Sequence, residues 1–151
     1  MNELLEQIRG YLKAFEVIND GNYEGPDYLI DVIEYNGNEL ISIENYLMRM
    51  TGSIKEPVSL SFERIETWKE TIEIIFELYF TRNIKTLTNL YKIEFIKMLN
   101  KYINNEQVEV LGSGIYNGYS CITEYIGEVS GSDLLFVFKE RILILHFGIN
   151  D

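Results

Sequence analysis

Two runs near the end of the chain, DLLFVF (133–138) and RILILHF (141–147), are almost continuously apolar and stand only two residues apart. A sheet with one wet face alternates apolar and polar side chains, so runs without alternation belong to strands covered on both faces. The pair therefore reads as a central hairpin, with Lys139-Glu140-Arg141 making the connection. The rest of the fold has to cover that hairpin. At 151 residues and 46% hydrophobic composition, the chain is long and apolar enough to do so within one domain, 1–151.

Upstream, the periodicity is helical. Leu4, Leu5, Ile8, Leu12 and Phe15 predict a helix over 2–17. Over 26–35 a helix separates Leu29, Ile30, Val32 and Ile33 from Asp27, Asp31 and Glu34, whereas a strand would mix Leu29, Asp31, Ile33 and Tyr35 on one face. A helix is expected there, started by Pro26 and ended by Gly37. Asn38 is expected to cap another helix carrying Leu40, Ile43, Leu47 and Met50, stopped by Gly52. Val58, Leu60 and Phe62 suggest a short extended segment. A long helix to about residue 80 follows, with Ile65, Trp68, Ile72, Ile75, Phe76 and Tyr79 inward and Glu63, Glu66, Glu70, Glu73 and Glu77 outward. One more helix runs to about 103 on Leu87, Tyr91, Phe95, Met98 and Tyr102. VEV (108–110) and YSCITEYIGEV (119–129) read as further strands. The expected class is α+β: N-terminal helices, 1–104, packed on a C-terminal antiparallel sheet, 105–151, of three to five strands.

Net charge is −11, from 24 acidic and 13 basic side chains. Residues 1–80 carry 16 acids against 6 bases, and residues 81–151 carry 8 against 7. A phosphate backbone would be repelled, and the Lys and Arg residues form no aromatic-interleaved groove, so nucleic acid is not an expected partner. No apolar run approaches the roughly 20 residues of a membrane span, so no membrane is expected either. The opening MNELLEQIRG lacks the pattern of a secretory signal, and a single cysteine, Cys121, forms no internal disulfide framework; a reducing cytoplasm is the expected compartment.

Motifs for chemistry are sparse. His146 is the one histidine, and a strand histidine satisfied by a local hydrogen bond is expected; with no second histidine, no metal site is predicted. A pairing of His146 with Cys121 lacks an orienting third group. GSGIYNG (112–118) has neither the Lys nor the Ser/Thr of a phosphate loop and reads as a turn, as does GEVSGSD (127–133). No catalytic residue and no cofactor are assigned.

Between Lys13 and Arg49 stand eight acids and no base, accompanied by Tyr23, Tyr28, Tyr35 and Tyr46. Tyrosine offers rigid contact area with a polar tip, and carboxylates attract a cationic partner over distance. The candidate partner-binding residues are Glu24, Asp27, Tyr28, Asp31, Glu34 and Tyr35. The bland alternative is a solvated helix face whose early acids favour the helix dipole. The glutamates from Glu63 to Glu77 form a second candidate face, unless Lys85, Lys92 or Lys101 neutralises it.

In size, charge and α+β character, and locally in EYNGNELISIENY (34–46) and KERILILHFGIND (139–151), the chain resembles the small acidic immunity proteins that bacteria encode beside their toxins. That resemblance implies a stoichiometric inhibitor that binds a cognate toxin, frequently a basic nuclease, and blocks its active site or an essential surface. Two alternatives stay open: a phage inhibitor of a host defence protein, and a small carboxylate-dependent enzyme or ligand-binding domain with at least two acids between helices and sheet.

Overall fold

The computed structural model describes residues 2–19, 25–52, 61–79 and 85–150. In chain order these form α1 (Asn2–Asn19), β1 (Gly25–Glu34), α2 (Glu39–Thr51), β2 (Glu63–Arg64), α3 (Trp68–Tyr79), α4 (Lys85–Ile103), β3 (Glu109–Ser113), α5 (Cys121–Ile126), β4 (Ser130–Val137) and β5 (Arg141–Asn150). The class is α+β. One five-stranded sheet of order β1-β5-β4-β3-β2 has antiparallel pairing throughout. No helix among the described residues is long and apolar enough to cross a membrane.

The apolar hairpin is β4–β5, closed by a bond from Phe138 N–H to the Arg141 carbonyl at 2.9 Å. Both of its faces are covered. On one side Leu134, Phe136, Leu143, Leu145 and Phe147 pack against Ile8, Leu12 and Phe15 of α1, Ile72 and Phe76 of α3, and Phe95 and Leu99 of α4. Phe76, Phe95 and Phe147 meet one another with ring centroids 5.3 to 6.3 Å apart. On the other side Leu135, Val137, Ile142 and Ile144 pack against Ile43 and Leu47 of α2 and Ile122 and Tyr125 of α5. Each fully buried side chain of this size contributes about 1.5–3 kcal/mol.

Residues 26–35 are not a helix: they form β1, an edge strand beside β5. The mixed face that spoke against a strand is what an edge strand over a doubly covered sheet requires. Tyr28 and Ile30 point to the α1 side and are buried, while Leu29 and Ile33 point to the α2 side. The acids manage the open edge. Tyr28 N–H donates to the Glu16 carboxylate at 2.6 Å, Val32 N–H donates to Asp31 Oδ1 at 2.9 Å, and the Ile30 carbonyl accepts from Arg9 at 3.4 Å. An edge whose backbone groups are already occupied does not recruit another strand. Pro26 withholds one further N–H.

The segment expected as the strand YSCITEYIGEV instead contains α5. Ser120 accepts from Thr123 N–H at 3.1 Å as N-cap, and Gly127 ends the helix in the left-handed region at φ 80°. Two caps flanking six residues outweigh the β-prone Ile and Tyr between them. The extended segment expected at Val58 and Leu60 lies outside the described residues; β2 occupies 63–64 instead.

Asn38 caps α2 as its sequence position suggested, Oδ1 accepting from Ile41 N–H at 3.1 Å, and Ile43 and Leu47 are fully buried. Leu40 and Met50, expected on the same stripe, are exposed. Replacing the cap, Asn38→Ala, is expected to lower unfolding stability by about 1 kcal/mol, read as a shifted denaturant midpoint at unchanged slope. No shift would show that the cap bond carries no net stability.

Candidate functional site

The hairpin's register sets a histidine against an aspartate. Counting back from the turn, Asp133 of β4 lies directly opposite His146 of β5, and His146 lies opposite Leu29 of β1. One step along, Gly131 pairs with Gly148, and Gly148 with Asp27. This row faces α5. The glycines leave a hollow that α5 and the turn after it fill: a Cβ on Gly131 would overlap the Thr123 hydroxyl, and one on Gly148 would overlap the Glu128 carboxylate.

Glu128 follows the α5 C-cap, its N–H bonded to the Thr123 carbonyl at 3.1 Å, so the chain turns its side chain down onto the sheet. There its Oε1 meets His146 Nε2 at 2.5 Å, while Asp133 Oδ1 meets His146 Nδ1 at 2.6 Å. All three side chains are at most 1% exposed. Ser120 donates to the Thr123 hydroxyl at 3.0 Å, which donates to Glu128 Oε1 at 3.3 Å, and Asp133 Oδ2 accepts from Ile122 N–H at 3.0 Å.

The electrostatics follow from that geometry. Burial alone would push the His146 imidazolium toward its neutral form, but hydrogen bonds to Asp133 and Glu128 and their charges outweigh it, raising its pKa from 6.5 to about 9. His146 is therefore an imidazolium at neutral pH, donating through both nitrogens. Asp27, partly buried, faces Glu128; burial first, then its hydrogen bond to Glu128, raises its pKa above 3.8. Two carboxylates share a hydrogen bond only if one carries a proton, and without it Glu128 Oε2 is buried and unpartnered.

The six sequence-predicted residues do not form one patch. Glu24 lies outside the described residues. Asp27 joins the His146 cluster. Tyr28 is 3% exposed, and its hydroxyl donates to the Tyr79 carbonyl at 2.6 Å, making it core. Asp31 holds the strand edge 3.8 Å from Arg9 and lies beside Tyr46, whose phenol is pushed up by burial and then by the Asp31 charge. Tyr35 donates to Glu39 Oε1 at 2.9 Å, and among the described residues of the six only Glu34 is freely exposed. An open groove of about 850 Å³ beside Tyr35 mixes Arg64, Lys139 and Arg141 with Glu106, Glu109 and Glu140, so it favours neither sign of charge. Cys121 is tied to Ser113 and Ser61 rather than to His146.

The second candidate face is different. Glu63 falls in β2 and Glu66 before α3 rather than on the expected helix, because α3 begins only at Trp68. Glu66, Glu70, Glu73 and Glu77 are all exposed and make no ion pair among the described residues. Lys97, on α4, pairs with Glu94 of its own helix, and Lys69 lies over the Trp68 ring at 5.6 Å. Leu78, 55% exposed, stands beside the ridge.

Comparison with protein-family models, curated proteins and solved structures returns no match to this chain.

Proposed function

We propose that the chain acts by stoichiometric capture of a cationic protein, in the manner of the immunity proteins it resembles, and that the outer face of α3 makes first contact. The observation that supports this reading is the ridge Glu70, Glu73, Glu77 on α3, with Glu66 just before the helix, exposed and without an ion pair among the described residues. Like charges three and four positions apart on a helix each cost about 0.2–0.5 kcal/mol. A face that keeps two such pairs concentrates negative potential outside the fold, where it steers a basic partner and raises association rates by about 10-fold or more at low salt. The acids of 27–35, by contrast, are mostly engaged within the fold.

The test uses the tagged chain and the product of the neighbouring gene, by co-purification and by growth protection. Capture that weakens about 10-fold or more in the E70K/E73K/E77K variant, and falls with added salt in the parent, is expected. A neighbouring product that is harmless and unbound, or capture indifferent to both salt and charge reversal, would overturn the proposal. A second reading, a carboxylate-dependent ligand-binding domain, is favoured by the three acids Asp27, Glu128 and Asp133 gathered with His146 between α5 and the sheet.

A further inference from the structure

The Asp27, Glu128 and His146 grouping lies on the sheet face opposite α3 and is independent of the proposed capture surface. One donor atom from each residue falls within 4.8 Å of the others. His146 Nε2 faces the two carboxylates, and its other nitrogen is held at 2.6 Å by Asp133, which is fully buried. A carboxylate behind a histidine, fixing its tautomer and its orientation, is the arrangement that supports histidine as a metal ligand. An independent observation points the same way: Glu128 Oε2, on a side chain 1% exposed, is aimed into the group and accepts no hydrogen bond unless Asp27 carries a proton. The hollow that admits it exists only because Gly148 has no Cβ.

We propose that Asp27, Glu128 and His146 form a binding site for one divalent transition-metal cation, with Asp133 as the outer partner of the histidine. One imidazole nitrogen and two carboxylates suit zinc or manganese better than calcium or magnesium, which favour all-oxygen sets. The absence of a second histidine, which argued against a metal from sequence, is made good by the second carboxylate. Binding exchanges protons for the cation: His146 Nε2 gives up the proton it shares with Glu128, and Asp27 binds as a carboxylate. Two donors with bonds near 2.1 Å sit about 3 Å or more apart on one ion. The 2.5 Å contact between Nε2 and Oε1 therefore opens on binding, and Oε2 becomes the natural Glu128 ligand. Asp27, at the partly exposed start of β1, is the side from which an ion enters.

The test is calorimetric titration of the chelator-treated full chain with Zn²⁺ and Mn²⁺, Mg²⁺ serving as control, together with thermal melts. One equivalent of Zn²⁺ or Mn²⁺ per chain, with a raised melting temperature, is expected. Asp27→Asn separates ligation from folding, because the amide N–H can donate to Glu128 from the same position yet the amide is a poor ligand. This variant should keep the metal-free melting temperature within a few degrees and bind the ion at least about 10-fold more weakly. E128Q is the second variant, and loss of binding with a retained melting transition supports the same assignment. Absence of saturable one-to-one binding, equal preference for Mg²⁺, or affinity unchanged in both variants would overturn it.

Discussion

Replacing His146 with leucine is expected to destabilise the chain by about 3–5 kcal/mol, a large part of the 5–15 kcal/mol typical of a whole domain. Lost packing is the smaller part of the effect, since leucine is apolar and of similar size. What changes is charge. The imidazolium is buried between Asp133 and Glu128 at 2.6 and 2.5 Å, and its removal leaves two carboxylates with little exposure and no cation. Asp133 keeps the Ile122 N–H and Glu128 keeps the Thr123 hydroxyl, but neither supplies a compensating charge. Denaturant unfolding reads the loss directly. The combination D133N/E128Q/H146L, which removes all three charges together, should recover part of it, because a buried ion group is costly chiefly when broken. A single variant as stable as the parent would mean that the histidine is not cationic in the fold.

Stability is also expected to fall as pH rises from about 6.5 to 9. The folded chain holds the His146 proton more tightly than the unfolded chain does, with a pKa of about 9 against 6.5. The stabilisation is therefore complete below the unfolded value and disappears as pH climbs through the folded one. At up to about 1.4 kcal/mol per pH unit, the change across this window is on the order of 3 kcal/mol. Asp27 has the same sign: its folded pKa is raised above 3.8, so its contribution is full below that value and declines as pH rises through the folded value. Urea midpoints of metal-free protein at pH 6, 7.5 and 9 should decrease in that order, and H146L should flatten the upper part of the profile. A midpoint constant or rising over pH 6.5–9 in the parent chain would contradict the shift.

Much of this architecture could be read from residue pattern. The nearly continuous apolar runs at 133–138 and 141–147 implied a doubly covered hairpin, and the Asn38 and Gly52 signals delimited α2 because caps act locally. What escaped were segments decided by tertiary context. In β1 each face meets a different helical layer, so a helical moment and a strand with two buried faces look alike in ten residues. In α5 short-range caps overrode β-prone composition. The His146 cluster was half legible: a two-residue turn at Lys139-Glu140 pairs 133 with 146 by counting, so Asp133 could have been found opposite the only histidine. Glu128 could not, because its approach depends on the α5 C-cap turning the chain over two glycines in separate strands. The acids of 27–35 looked like a surface because their partners, Glu128, Arg9 and the open strand edge, come from elsewhere in the chain.

At the centre of the α5 face of the sheet lies a histidine cation clamped between two buried carboxylates. Nitrogen-detected NMR of the metal-free chain, following both ring nitrogens of the single histidine across pH, measures it without need of any partner. Both nitrogens protonated at pH 7, with a titration midpoint near 9, is the predicted result. A neutral tautomer at pH 7, or a midpoint at or below 6.5, would contradict it.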